Sequence, residues 1–246
     1  MEVVLTIAGS DSSAGAGIQQ DLKTIVAHCC YGATVITSVT SQNTLGVQSA
    51  MAVPPAVVAS QMSAVLTDLE PAAIKIGMIP DKAVAEAIVG QLEPYVQQHR
   101  VPVVYDPVMV STSGFYLMQP DAIEYIATHL FPLCTLITPN LPEAERLGDD
   151  LSPYAYLLKG GHAEGDVMTD VLHLPDGSQT EFSTPRITTC NLHGTGCTLS
   201  SAIASQLALG CTIQEAVSRA KSFVTAAINR STSVSVGHGN GPLLLD

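Results

Sequence analysis

The segment from Asn191 to Cys197 combines residues that can bind an anion and transfer a proton. Its letters are NLHGTGC, and an apolar-periodic segment typical of a helix follows at once. A glycine turn at the start of a helix leaves backbone N–H groups unpaired, and the helix dipole adds positive potential there. The turn can therefore bind a phosphate. A tight turn without a ligand could have the same letters, so both interpretations stay open.

Cys197 falls in the first turn of that predicted helix. The helix dipole there favours the thiolate and lowers the pKa of a thiol, so Cys197 is a candidate for proton transfer or nucleophilic attack. A small buried packing residue is the alternative. A cysteine-nucleophile hydrolase would need a partner histidine, and His193 belongs to the glycine turn itself. No nucleophile-elbow pattern occurs either, which argues against that class.

Three further candidates follow predicted strands. Asp106 and Glu143 are carboxylates that could hold Mg²⁺, usually through water, or could serve as a turn residue and a helix cap. Lys159 stands in LKGG, where it could reach a phosphate as a point charge or remain solvated. The chain has only ten Lys and Arg residues, which favours a functional role for Lys159. No Walker P-loop pattern occurs, and GAGIQQ is only half of a dinucleotide-binding fingerprint.

Strands and helices alternate along the chain and must position these residues. Strands are predicted at 2–9, 33–40, 72–77, 101–110, 134–140, 154–161, 168–174 and 179–185, and helices at 18–29, 55–69, 81–99, 120–131 and in two closing segments. The last helix begins at a Thr212–Glu215 capping box. This alternation predicts one domain over residues 1–246, with a mostly parallel sheet covered by helices on both faces. Ligands of such sheets bind beyond the carboxyl ends of the strands, where the candidates fall.

The composition excludes several classes of protein. Hydrophobic residues make up 46 % of the chain and charged residues 13 %, so a large core is available and disorder is not expected. The net charge of −12 argues against nucleic acid or an anionic membrane as a partner. The six cysteines form no C-x-x-C pair, no apolar run reaches membrane-spanning length, and no charged leader precedes the first strand. We therefore expect a reduced, cytoplasmic protein.

Seven motifs, in order along nearly the whole chain, resemble the hydroxymethylpyrimidine/phosphomethylpyrimidine kinases of thiamine biosynthesis. They are LTIAGSDSSAGAGIQQDLKT, SQNTLGVQS, KIGM, DPVM, LITPNLPEAE, LKGGH and HGTGCTLS. The resemblance implies a three-layer α/β/α ribokinase-like fold. It implies phosphorylation of 4-amino-5-hydroxymethyl-2-methylpyrimidine, and then of its monophosphate, with ATP and Mg²⁺. It also implies a homodimer through a sheet edge that includes residues 41–53.

The resemblance also assigns roles to individual residues. The residues assigned to the pyrimidine pocket are Gly9, Ala16, Asp21, Gln42 and Met78. Asp106 and Glu143 organise Mg²⁺ and its waters. The ATP phosphates meet Lys159, His193, Gly194, Thr195 and Gly196. Cys197 accepts the proton of the substrate hydroxyl, and Lys159, Gly194 and Gly196 complete the catalytic group.

One segment departs from the family pattern. The family usually has a further helix between PEAE and KGGH, whereas this chain has only RLGDDLSP at 146–153. Eight residues are too few for an ordinary crossover helix. We therefore expect one crossover helix to be missing there, with part of the sheet exposed or covered by a partner subunit.

Two other functions are compatible with the motifs. The first is a pyridoxine/pyridoxal kinase of the same superfamily, although QNT after the second strand favours the aminopyrimidine. The second is a ligand-binding relative without turnover. The presence of Asp106, Glu143, Lys159 and HGTGC argues against it.

Overall fold

One mixed sheet runs through the computed structural model, which describes residues 1–111, 114–160 and 165–245. The strands are β1 (Val3–Asp11), β2 (Tyr31–Asn43), β3 (Gly46–Ala52), β4 (Ala73–Ile76), β5 (Val103–Tyr105), β6 (Leu136–Ile137), β7 (Tyr156–Leu158), β8 (Val167–His173) and β9 (Gln179–Pro185). Their order is β3-β2-β1-β4-β5-β6-β7-β8-β9. The pairs from β2 to β7 are parallel, whereas β3, β8 and β9 pair antiparallel with their neighbours.

Seven α-helices connect and cover these strands within the described ranges. They are α1 (Gly17–Ala27), α2 (Pro55–Asp68), α3 (Lys82–His99), α4 (Pro120–His129), α5 (Leu141–Leu147), α6 (Thr195–Ala208) and α7 (Ile213–Ser231). The predicted capping box at Thr212 and Glu215 is confirmed, with both of its reciprocal hydrogen bonds present. No helix in these ranges is long and apolar enough to cross a membrane.

The core lies in two layers, one on each face of the sheet. Alternate residues of β1 face opposite layers. Leu5 and Ile7 pack with α2, α3 and α4, whereas Val4 packs with α1, α6 and α7. Truncating a fully buried residue such as Ile7 to alanine costs about 2–5 kcal/mol. The predicted three-layer α/β/α arrangement is confirmed.

The crossover between β6 and β7 is short. It consists of α5, which has seven residues, and a 3₁₀ turn at Gly148–Leu151, and β7 begins five residues later. Tyr156 and Leu158 are half-buried on one face of β7, whereas Leu157 is buried on the other. The structure therefore has the short connection and the poorly covered sheet face that we expect from 146–153.

β3 is an element that the sequence analysis does not identify. It has small and polar residues without alternation, and Met51 is 66 % exposed. β3 forms because β2 extends to Asn43 and turns back on itself at the edge of the sheet. The predicted strand at 154–161 shortens to Tyr156–Leu158, and Gly161 lies outside the described residues.

Candidate active site

A cavity of about 430 Å³ opens at the carboxyl edge of the sheet. This volume is within the range of small-molecule binding pockets. The segments after β1, β2, β4, β5, β6 and β7 meet there with the first turn of α6, which confirms the predicted convergence. The candidate residues that line it are Gly9, Ala16, Gln42, Met78, Asp106, Glu143, Lys159, His193, Gly194, Thr195, Gly196 and Cys197. Asp21 is fully buried and does not line the cavity.

Asp106 and Lys159 form an ion pair at the centre of the cavity. Lys159 Nζ donates to Asp106 Oδ1 at 2.6 Å, and the hydroxyl of Thr138 donates to the same oxygen at 3.2 Å. Burial alone would raise the pKa of Asp106, but the positive charges of Lys159 and Lys75 hold it below its ordinary value. Asp106 is therefore an ionised carboxylate at neutral pH.

Glu143 is both a helix cap and a residue of the cavity wall. Its Oε2 accepts the backbone N–H of Asn140 at 2.9 Å and completes the capping box of α5. Among the described residues, its Oε1 has one weak hydrogen bond, from the backbone N–H of Met109 at 3.5 Å. Burial, together with the negative charge of Asp106, raises the pKa of Glu143 to about 7, although Lys159 opposes the rise. The charged form of Glu143 is therefore poorly compensated in this protein.

The two carboxylates fit a magnesium ion by the chemistry of their oxygens. Mg²⁺ is usually bound by one or two carboxylates, with waters and substrate phosphates as its other ligands. Glu143 lines the cavity, and a cation beside its Oε1 would stabilise the buried negative charge. Within the described ranges, no group of three His, Cys, Asp or Glu residues is placed to hold a metal by protein ligands alone.

The glycine turn lies directly beside the Asp106–Lys159 pair. Gly194 has φ +86°, and a Cβ there would lie 1.9 Å from the carbonyl oxygen of Gly15, so only glycine fits. A Cβ on Gly196 would lie 3.5 Å from both Asp106 Oδ2 and Lys159 Nζ. A gap about the size of one methyl group therefore separates the turn from the ion pair, and the backbone N–H groups of α6 begin at its edge.

The backbone N–H groups of two residues in the predicted anion-binding turn already have partners. The backbone N–H of His193 donates to the carbonyl of Gly241 at 3.1 Å, and that of Thr195 donates to Leu192 at 3.3 Å. Neither N–H is directed at a phosphate, because tight-turn and loop contacts already occupy both. Within this turn, Gly194, Gly196 and Cys197 remain as the backbone donors.

The predicted low pKa of Cys197 is wrong. Burial raises the pKa of this half-buried thiol to about 11, and the positive charge of Lys75 only partly opposes the effect. The helix dipole is too small to reverse the cost of placing a thiolate in the cavity wall. Cys197 is therefore a neutral thiol in the resting protein at neutral pH.

Lys75 is a residue of the site that the sequence analysis missed. Its Nζ lies 2.8 Å from Asp21 Oδ2, and both side chains are fully buried. The hydroxyls of Thr6 and Ser201 donate to the same carboxylate at 2.6 and 2.8 Å. Lys75 lines the cavity and Asp21 does not, so Asp21 acts on the cavity through neighbours such as Lys75 and Cys197. A lysine inside the apolar strand AIKI was the available signal, because a buried lysine needs an acidic partner.

The cavity has two ends of different character. At one end Gly9, Ala16, Gln42 and Met78 meet, and a Cβ on Gly9 would lie 2.9 Å from Met78 Sδ. The ring of His193 points to this end, with Nε2 2.9 Å from Asp11 Oδ2.

The other end holds a second buried ion pair that the sequence analysis missed. Lys221 Nζ donates to Asp170 Oδ2 at 2.7 Å, and Asp170 Oδ1 accepts the N–H of Gly160 at 2.9 Å. The glycine turn and Lys159 lie between the two ends. The cavity can therefore hold two ligands that meet at the turn.

This arrangement defines a class of protein. An α/β sheet whose edge brings a glycine turn, a lysine and two carboxylates to a two-ended cavity is the site of a small-molecule phosphotransferase. A family model described as phosphomethylpyrimidine kinase matches residues 11–244. The chain belongs to this family and is a phosphotransferase of thiamine biosynthesis.

Similar proteins come from several bacteria. A hydroxymethylpyrimidine/phosphomethylpyrimidine kinase of Synechococcus elongatus is 43 % identical over 259 aligned residues, which cover 98 % of this chain and 96 % of the relative. The enzyme of the same description from Escherichia coli is 40 % identical, with 97 % and 95 % covered. The first alignment is longer than this chain of 246 residues, so that relative has residues that this chain lacks.

Solved structures show the same fold. A phosphomethylpyrimidine kinase from Clostridium difficile matches with a TM-score of 0.77 at 40 % identity, covering 93 % of this chain and 100 % of that one. A Bacillus subtilis pyridoxal kinase in an ADP complex matches with a TM-score of 0.86 at 30 % identity, covering 100 % and 97 %. Both kinds of kinase therefore share this architecture, and only the walls of the cavity can separate their substrates.

Proposed function

We propose that this protein transfers the γ-phosphoryl group of ATP to the hydroxymethyl oxygen of 4-amino-5-hydroxymethyl-2-methylpyrimidine. In a second step it phosphorylates the resulting monophosphate to the diphosphate. The supporting observation is the two-ended cavity, in which the glycine turn and Lys159 lie between the Gln42 end and the Lys221 end. Relatives with 40–43 % identity carry the same substrates in their names.

The proposed reaction depends mainly on position and charge. The pyrimidine lies against Gly9, Ala16, Gln42 and Met78, and ATP occupies the end near Lys221 with its γ-phosphate at the turn. The hydroxymethyl oxygen forms a bond to the γ-phosphorus, and the bond between that phosphorus and the bridging oxygen breaks to release ADP. Lys159 and the backbone N–H groups of Gly194 and Gly196 stabilise the charge on the transferring group.

Cys197 is the proposed acceptor of the hydroxyl proton, in its thiolate form. The pKa of about 11 makes this thiolate a strong base but a scarce one at neutral pH. Lys75 is the cation that favours it, because its charge lowers the pKa of Cys197 against the effect of burial. The rate is therefore expected to rise with pH.

Mg²⁺ is proposed to bind between Asp106 and Glu143, directly or through water. When bound, it supplies positive charge to the phosphate oxygens. Asp106 also pairs with Lys159 at 2.6 Å and so positions that ammonium group beside the glycine turn.

A homodimer through the β3 edge is also proposed. Leu45 and Met51 are 68 % and 66 % exposed, and Val39 on the adjacent strand is 44 % exposed. A two-stranded edge with this much exposed apolar surface favours association with a second copy. Light scattering after size exclusion tests it, and a monomeric mass at micromolar concentration would contradict it. Location in the cytoplasm stays a prediction.

Pyridoxal kinase is the second candidate, because a Staphylococcus aureus pyridoxal kinase with AMP-PCP and pyridoxal matches with a TM-score of 0.85. Its 30 % identity is below that of the pyrimidine kinases. A coupled ADP-release assay with each substrate decides between the two. We expect a higher kcat/KM for the aminopyrimidine, and a higher value for pyridoxal would favour the second candidate.

A further inference from the structure

The carboxamide of Gln42 lies between two polar neighbours, Thr40 and His193. Gln42 Oε1 lies 3.2 Å from Thr40 Oγ1, and Gln42 Nε2 lies 3.2 Å from His193 Nε2. The oxygen and nitrogen of a carboxamide have nearly the same shape, so their order follows from the partners. The hydrogens that Thr40 and His193 can donate therefore determine the orientation of the Gln42 carboxamide.

Thr40 permits either order of the carboxamide. Its hydroxyl has one hydrogen, which lies within reach of the backbone carbonyl of Ser10 at 3.1 Å and of Gln42 Oε1 at 3.2 Å. With the carboxamide reversed, that hydrogen bonds Ser10 alone, and the hydroxyl oxygen accepts from the amide nitrogen of Gln42. The reversed order therefore satisfies Thr40, and His193 decides between the two.

His193 Nε2 cannot accept a hydrogen bond from Gln42. The same nitrogen lies 2.9 Å from Asp11 Oδ2, and this oxygen also accepts the backbone N–H of Ala16 at 2.9 Å. Burial tends to raise the pKa of Asp11, but hydrogen bonds from His193 and Ser13 lower it below its ordinary value, so the carboxylate is ionised. An ionised carboxylate only accepts, and Nε2 therefore carries a hydrogen. A protonated Nε2 has no free lone pair, so the amide nitrogen of Gln42 would set two donors against each other. The amide oxygen must therefore face His193 and share its N–H with Asp11.

We propose that Asp11 and His193 are positioning residues that fix the order of donor and acceptor on Gln42, with Thr40 as the acceptor on its other side. The second N–H and the second lone pair of the carboxamide then remain for a ligand in the cavity. They match a ring edge with an acceptor nitrogen beside an amino donor, the pattern by which a carboxamide recognises an aminopurine. This inference rests on the proposed function and specifies how its substrate is selected. It also moves the role of the His193 side chain from the phosphate turn to the pyrimidine end.

His193→Leu removes the donor, and the expected result is a rise of roughly tenfold or more in the Kd and KM for the aminopyrimidine. The KM for ATP stays within about twofold of the wild-type value. His193→Gln retains an N–H that can reach Asp11 and restores most of the affinity. Titration calorimetry with the aminopyrimidine alone measures Kd, so the inference is tested even in a protein that does not turn over.

A double-mutant cycle tests whether His193 acts through Gln42. In the Gln42→Ala background, His193→Leu should change Kd for the aminopyrimidine by less than about twofold. Thr40→Val is an independent variant of the same network and should also weaken binding. Thr169→Val makes the same change on β8, at a residue that does not line the cavity, and is the matched control.

Three results would overturn the inference. A rise in the KM for ATP, with an unchanged Kd for the aminopyrimidine, would place His193 in the phosphate turn. Additive effects in the cycle would show that His193 and Gln42 act independently. Absence of aminopyrimidine binding by the wild type would refute the ligand, whereas binding without turnover would refute only the proposed reaction.

Discussion

Replacement of Glu143 by glutamine should make the protein more stable at alkaline pH. Glu143 is buried beside Asp106, and its pKa of about 7 in the folded protein exceeds the ordinary 4.5. The folded state therefore binds a proton more tightly than the unfolded state does. Glu143 stabilises the folded protein fully below about pH 4.5, and this contribution is lost as the pH rises through about 7.

The size of the effect follows from the two pKa values. A difference between 4.5 and about 7, at about 1.4 kcal/mol for each pH unit, corresponds to about 3.5 kcal/mol in full, of which about 3 kcal/mol is lost between pH 4.5 and pH 8. Glutamine mimics the protonated carboxyl, because its oxygen can still accept the backbone N–H of Asn140 in the capping box. The free energy of unfolding of Glu143→Gln, minus that of the wild type, should therefore grow by about 3 kcal/mol between pH 4.5 and pH 8.

Urea unfolding at half-unit pH intervals measures this difference. Glu145→Gln is the matched control, since Glu145 is an exposed residue of the same helix and should show no such growth. Millimolar Mg²⁺ should reduce the difference at pH 8, because a cation at the carboxylate stabilises the folded wild type. A difference that stays constant with pH would refute the argument that the charge of Glu143 is poorly compensated.

Further predictions concern the turn and its neighbours. Gly196→Ala should leave the melting temperature within about 2 °C but reduce kcat by at least about tenfold, because the methyl group fills the phosphate space without a clash; equal turnover would contradict this. Gly194→Ala should fail to fold normally or lose several kcal/mol, as thermal melts will show, since its Cβ would meet the Gly15 carbonyl. For Cys197, kcat should rise about tenfold per pH unit from pH 7 to 9, and Cys197→Asp should flatten this profile; a flat wild-type profile would exclude the thiolate as the base. Lys159→Met should raise the KM for ATP and lower kcat by about 100-fold or more, and an unchanged kcat would remove Lys159 from the transfer step.

Local patterns were enough to predict much of the fold. The strands and helices that pack on the core show their period directly in the chain, as in Leu5 and Ile7 of β1. The convergence of the motifs followed from the rule that parallel strands end at one edge. β3 was missed because its residues are exposed and lack alternation, so nothing in 46–52 indicates a partner strand.

The electrostatics of the site could not be read from the chain. Lys75 and Asp21 are separated by 54 residues, and His193 and Asp11 by 182, so their pairing depends on the assembled sheet. The pKa of Cys197 was predicted in the wrong direction because the helix dipole is a local feature, whereas the burial that outweighs it comes from packing. Residue type and spacing therefore located the site, and only the fold showed which charges are compensated.

Identification of the product by ³¹P NMR is the most direct test of the central claim. The purified protein is incubated with ATP, Mg²⁺ and 4-amino-5-hydroxymethyl-2-methylpyrimidine, and the spectrum is followed with time. The cavity and its glycine turn predict a phosphomonoester of the hydroxymethyl group that forms together with ADP, followed by the diphosphate ester. Release of ADP and inorganic phosphate without either ester, or esterification of pyridoxal alone, would contradict the account.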